Sequence, residues 1–146
     1  MRLPLDVILR RGVVFLWAHY DRLDDPKLAG RTKAKYAVIL SGAPQDDPIV
    51  YLLTTSEKAK HASHPFPNDL QRLPAGSYEF LTLDTVLDAG DAGELEVERE
   101  QFVALYESGE AIYKGTLADG HMAELVEKIL ASPRVSRRFK RILTGE

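Results

Sequence analysis

Cysteine is absent from the 146 residues, which removes both a disulfide framework and any thiolate metal site. Four histidines, His19, His61, His64 and His121, remain as candidate ligands. Long apolar runs are also missing. None approaches the roughly 20 residues that a membrane span needs. The opening stretch "MRLPLDVILRRGVVFLW" is broken by Asp6, Arg10 and Arg11, and no small-residue cleavage site follows it. A cytoplasmic protein without a membrane segment is therefore expected. There is no glycine-rich phosphate loop and no strand-helix alternation, so a Rossmann unit is not expected. Internal repeats and low-complexity segments are lacking as well. Positive charge is not in excess: the net charge is −3, which argues against coating nucleic acid through bulk charge.

What is present fits one soluble domain covering 1–146, with 45% hydrophobic and 28% charged residues. The basic residues fall in clusters. Arg31, Lys33 and Lys35 form one, Lys58 and Lys60 a second, and the tail "RVSRRFKRIL" a third. "GVVFLWAHY" (Gly12–Tyr20) is rich in β-branched and aromatic residues and predicts a first strand. Asp21 to Arg31 predicts a long exposed loop. "KYAVILS" (Lys35–Ser41) and Ile49–Thr55 predict the second and third strands, joined by the turn "GAPQDD" into an antiparallel hairpin. The proline-rich "HASHPFPNDLQRLPAG" predicts an irregular loop of the kind that carries function. In "SYEFLTLDTV" the alternation of Tyr78, Phe80 and Thr82 with Glu79, Leu81 and Leu83 predicts a fourth strand. "DAGDAG" reads as a flexible turn and "ELEVE" as a short fifth strand.

From about Glu98 the period lengthens. Phe102, Leu105 and Tyr106 share a helical face that Gly109 is suited to end. Asp119 is placed to cap a second helix carrying Met122, Leu125, Val126, Ile129 and Leu130. Ser132-Pro133 predicts the start of another. Strands over roughly 12–98, followed by helices over roughly 99–143, predict a mainly β protein with a C-terminal α part. Its short strands and turn-rich links suggest a small bent sheet or barrel closed by helices.

The order "RGVVFLW", polar loop, "KAKYAVILS", short turn, "PIVYLLTTS" and later "LTLDTV" resembles the PemK/MazF toxins of bacterial toxin–antitoxin systems. "YKGTLADGHMAELVEKIL" is similar to the glycine-leucine lead into that family's last helix. The likeness covers Gly12 to Leu143, with an apparent insertion around Asp88 to Tyr113. It implies a small SH3-like β-barrel decorated with helices and a homodimer. It also implies a metal-free, cofactor-free endoribonuclease acting on single-stranded RNA, with an acidic antitoxin peptide covering the RNA site. Two arginines of the family pattern are missing. Lys35-Tyr36 stands where the family has Arg-Pro, and Thr82 stands two positions before the retained Asp84. The Thr-Ser pair at the end of strand three is kept as Thr55-Ser56. These departures leave open a module of the same family that binds RNA or protein and has lost catalysis.

Metal-free RNA cleavage uses the ribose 2′-hydroxyl as nucleophile. It needs a proton acceptor, a proton donor and donors for the charge that develops on phosphorus. On this reading Thr55 and Ser56 grip the phosphate and Lys35 stabilises its charge. His61 or His64 moves protons, and Asp84 orients one of these groups or shares that work. Lys33, Lys58, Lys60 and His64 hold the RNA strand. Lysine lacks the planar fork of arginine, so the exchange at position 35 is not conservative. Plainer readings stand beside each assignment. Thr55 and Ser56 also suit a strand-end turn, Lys35 a strand-edge charge, and Asp84 a turn cap. His61 and His64 also suit a solvated loop, and as a zinc pair they lack a third convincing ligand. Trp17 fits the core better than a base-stacking platform. The basic tail suits either a solvated helix face or contact with RNA or antitoxin.

Overall fold

Three runs of β-branched and aromatic residues build the centre of the molecule. The computed structural model describes residues 3–21, 32–56 and 58–145. The three runs form strands β1 (Val13–Tyr20), β2 (Lys33–Ile39) and β3 (Ile49–Ser56). Strands β4 (Leu70–Leu73), β5 (Thr85–Asp88), β6 (Glu96–Val97) and β7 (Ala111–Thr116) extend them into one seven-stranded sheet. Every pairing is antiparallel, in the order β4-β5-β3-β2-β1-β7, with β6 attached to β3. The path ends at β4 and β7 with no pairing between them among the described residues, so the sheet is not a closed barrel. The helices are α1 (Leu5–Ile8), α2 (Ala59–Ala62), α3 (Arg99–Ser108), α4 (Asp119–Ala131) and α5 (Arg137–Thr144). No helix among the described residues is long and apolar enough to cross a membrane.

The near-continuous apolar runs of the central strands follow from burial on both faces. Side chains alternate across a strand. Val13, Phe15, Trp17, Ala37, Ile39, Ile49 and Tyr51 enter one core with α1 and α3. Val14, Val38, Leu40 and Leu52 enter a second core with β4, β5, α4 and α5. A register shift between Trp17 and Tyr20 returns Tyr20 to the first face. There its hydroxyl meets that of Tyr51 at 2.7 Å. Edge-to-face rings fill this first core, with Phe15 to Phe102 at 5.0 Å and Trp17 to Tyr20 at 4.8 Å. Such pairs add about 0.5–1.5 kcal/mol each beyond their buried area.

The helical spacing in the C-terminal part holds where burial demands it. Phe102 and Tyr106, four apart, seal α3 against the first core, and Gly109 ends it with φ 87°. Leu125 and Ile129, also four apart, bury α4 in the second core. Leu130, expected on the same apolar face, is exposed.

The structure corrects several local expectations. "SYEFLTLD" is not a strand but a folded loop, and only Thr85–Asp88 pairs. Gly76, at φ 82°, donates its N–H to the Leu81 carbonyl at 2.8 Å, and Leu81 donates to that of Tyr78 at 3.0 Å. Those bonds curl the chain, bury Leu81 and leave Leu83 exposed, so the alternation does not mark two faces of a sheet. The proline-rich segment holds more structure than a loop. A 3₁₀ turn over Pro67–Asp69 leads into β4, which is drawn into the sheet by buried Leu70, Gln71 and Leu73. β7 (Ala111–Thr116) falls in the part expected to be helical, and its first residues end the expected insertion. It is an outer strand, and its exposed Ile112, Tyr113 and Lys114 hide the alternation of burial. Ala118 takes the N-cap position of α4 instead of Asp119, whose carboxylate still sits in the favourable first turn. The last helix starts at Ser136, whose Oγ accepts from Phe139 N–H at 3.1 Å, not at Ser132-Pro133. Ser132 is fully buried, and its hydroxyl donates to Asp69 Oδ2 at 2.8 Å. Of the expected loop at Asp21 to Arg31, only Asp21 lies within the described residues, outside any strand or helix.

Candidate nucleic-acid interface

β3 divides its length among three partners. Ile49 and Val50 pair with β6, Tyr51 to Leu53 with β2, and Thr54 to Ser56 with β5. The β2–β3 ladder runs from Ile39↔Tyr51 to Ala37↔Leu53. Beyond it β2 continues along β1, through Tyr36↔Leu16 and Lys35↔Trp17, while β3 turns to β5. The two strands part as a fork. A cleft of about 220 Å³ occupies the opening. One lip is Lys33 to Tyr36; the other is Thr54 to Ser56, and Lys58 follows. The folded loop closes the cleft with Phe80, Leu81, Thr82 and Leu83. A core strand ends in hydroxyls here because it changes partner and leaves the core at that point.

Five of the residues singled out from sequence meet in this cleft: Lys35, Thr55, Ser56, Lys33 and Lys58. Lys35 pairs with Trp17 of β1 and lies beyond the last β2–β3 pair, Ala37↔Leu53, on the open side of the fork. His61, His64 and Asp84 do not line the cleft. His61 is buried in α2, and its Nδ1 accepts from the Lys58 N–H at 2.8 Å, closing the turn on which Lys58 sits. Asp84 Oδ1 accepts from the Ala75 N–H at 2.9 Å and fastens the folded loop, so it acts as a turn cap. His64 Nδ1 accepts from the Phe66 N–H at 2.9 Å, which leaves Nε2 to face Asp88 Oδ2 at 3.1 Å. Lys60 lies in α2, and its side chain is outside the described set. Trp17 is buried, as expected of a core residue.

Sequence reasoning did not place Tyr36, Thr54 or Phe80 at the site. Their apolar or strand-like settings gave no sign that the strands separate. Tyr36 and Phe80 are half-buried with ring centroids 5.3 Å apart.

The charge of the cleft is of one sign. Its described lining carries three lysines, the hydroxyls of Thr54, Thr55, Ser56, Thr82 and Thr85, the Tyr36 phenol, and no carboxylate or imidazole. Hydrogen bonds from hydroxyls and ammonium groups to an anionic oxygen contribute about 1.5–3 kcal/mol each. A phosphate diester suits that set. A larger cavity of about 1020 Å³ lies between the β2–β3 turn and α5, but its charge is mixed. Arg11 there donates to the Leu40 and Leu143 carbonyls at 3.0 and 2.9 Å, and Asp46 caps the Ala43 N–H at 3.0 Å. Those groups are occupied in holding the hairpin turn to the last helix.

A second charged cluster gathers around Arg134. Its guanidinium meets Asp69 at 2.9 Å, binds Asp88, and lies 3.7 Å from Asp91, with Phe66 under it at 5.0 Å. Burial works against the Arg134 charge, but the hydrogen bonds it donates to Asp88 and Asp69, with the attraction of those carboxylates, outweigh it and raise its pKa. Burial, then repulsion from Asp88 and Glu94, raises the Asp91 pKa. This cluster ties the proline-rich segment and β5 to the α4–α5 connection.

No family model matches the chain, and no curated protein does.

Proposed function

We propose that the protein is a PemK/MazF-like toxin whose forked cleft seats a phosphodiester of single-stranded RNA and promotes its cleavage without metal. The observation that carries this reading is the convergence of Lys35 with Thr55 and Ser56 at the cleft, flanked by Lys33 and Lys58. In the reaction the 2′-oxygen attacks the adjacent phosphorus and gives its proton to solvent water, the 5′-oxygen leaves with a proton taken from solvent, and a 2′,3′-cyclic phosphate forms. Thr55 and Ser56 hydroxyls hold the non-bridging oxygens, and Lys35 offsets the extra negative charge of the phosphorane. Preorganised donors of this kind are worth roughly 3–4 kcal/mol in comparable sites. The antiparallel sheet serves as the SH3-like scaffold of that family in an open form. A homodimer, cytoplasmic action and an acidic antitoxin peptide drawn to the lysines complete the proposal.

One observation favours a second reading, a module that holds RNA without cutting it. Among the described residues the lining offers no carboxylate or imidazole to take the 2′-proton. Incubating the protein with a mixed-sequence oligoribonucleotide in EDTA separates the two. Cleavage leaving cyclic phosphate and 5′-hydroxyl ends, with the DNA analogue untouched and Lys35→Ala slowed at least about tenfold, supports the toxin reading. Retention of uncut RNA by the parent, weakened in Lys35→Ala, supports the binding module. If RNA is neither cut nor bound, both readings fail.

A further inference from the structure

We infer that Tyr36 and Phe80 form a stacking platform for one unpaired base next to the seated phosphate, so that the cleft recognises a nucleotide and not a bare anion. This rests on the phosphodiester reading of the cleft and adds a base to it. Both rings line the cleft beside the lysines, half-buried, with centroids 5.3 Å apart and planes inclined by 40°. At that separation the rings touch each other, so a base stacks against the pair from the cleft and is not sandwiched between them.

Phe80 is braced from behind. Tyr78 stacks on it at 5.5 Å and 26°. The Tyr78 hydroxyl accepts from the Ala118 N–H at 2.7 Å and shares a second hydrogen bond with His121 Nδ1, also at 2.7 Å. This fixes the aromatic pair to the start of α4. On either side of the ring the chain is pinned as well. Leu81 is buried in the second core, and Asp84 closes the base of the loop on Ala75. A ring held in this way loses little freedom when a base covers it, and every base has a face to offer. A duplex keeps its bases stacked on one another, so the platform selects single strands.

Binding of two fluorescein-labelled octamers tests the inference. One is 2′-fluoro octa-adenylate, which lacks the hydroxyl needed for its own cleavage; the other is the same backbone without bases. The parent is expected to bind the adenylate roughly tenfold or more tightly than the baseless strand, since base–aromatic stacking changes affinity by about that factor. Phe80→Leu keeps apolar bulk in the loop and is expected to erase that preference while keeping the native fold by circular dichroism, and Phe80→Trp to retain it. If Phe80→Leu folds and keeps the parent's preference, or if the parent binds both strands equally, the platform is wrong. Weakening of both strands by Lys35→Ala then leaves the phosphate reading standing. If the parent binds neither strand, the phosphate reading falls and takes the platform with it.

Discussion

The fork between β2 and β3 and the cluster around Arg134 are both rich in charge, yet they are built on opposite plans. Arg134 is met by three carboxylates, one of them, Asp69, almost wholly buried. Its surroundings neutralise it, and the described hydrogen bonds account for its role in holding segments together. At the fork, three lysines gather with the hydroxyls of Thr54, Thr55, Ser56, Thr82, Thr85 and Tyr36, and no carboxylate is among the described lining residues. Like charges brought together repel, and an anion lying among them relieves that repulsion. Complementary charge therefore marks the joint, and charge of one sign marks the described lining of the cleft.

The sharpest way to break this contrast is to strip the joint. Arg134→Ala leaves Asp69 buried without its cation, and should cost about 3–5 kcal/mol in urea unfolding at pH 7. Arg134→Lys should recover only part of this, because a single ammonium cannot serve Asp69 and Asp88 as the guanidinium does. Stripping the fork should act on ligand affinity instead. Lys35→Ala should weaken binding of single-stranded RNA by about tenfold in a fluorescence titration at low salt. Lys33→Ala and Lys58→Ala should each lower the slope of log affinity against log salt by about 0.7. If either variant leaves that slope unchanged, its lysine is not in contact with the strand.

The smallest effect sharpens the contrast from the acidic side. The raised pKa of Asp91 means that the folded protein holds this proton more tightly than the unfolded chain does. Its contribution to stability is complete below pH 3.8 and is lost as pH rises through the folded pKa. Asp91→Asn should therefore raise Tm slightly at pH 7, with the gap closing below pH 3.8. The side chain is half exposed, so the gain stays under about 1 kcal/mol.

The three central strands were legible because burial on both faces writes itself as unbroken apolar sequence, as in "VVFLW" and "AVIL". Phe102 with Tyr106 and Leu125 with Ile129 announced their helices for a similar reason. The loop over 77–84 was misread because Gly76, Leu81 and Asp84 settle it through hydrogen bonds and one buried anchor, and neither leaves a period. Five of the residues singled out line one cleft; Thr55, Ser56 and Lys58 drew attention because hydroxyls and a lysine are unusual at the end of an apolar run. The histidines do not line it, since spacing does not show which backbone N–H a ring nitrogen will accept. His61 and His64 each serve their own turn. The meeting of Arg134 with Asp69 and Asp88, 65 and 46 residues away, left no local trace at all.

The parting of β2 and β3 also has a thermodynamic side. Below Ala37↔Leu53 each lip is held by its outer neighbour, β1 for one and β5 for the other. A strand of RNA lying across the gap would serve as a rung that the ladder itself does not supply. Occupancy should therefore slow amide hydrogen exchange at Thr54–Ser56 and at Lys33–Tyr36 together, coupling two stretches that the empty protein leaves to open separately.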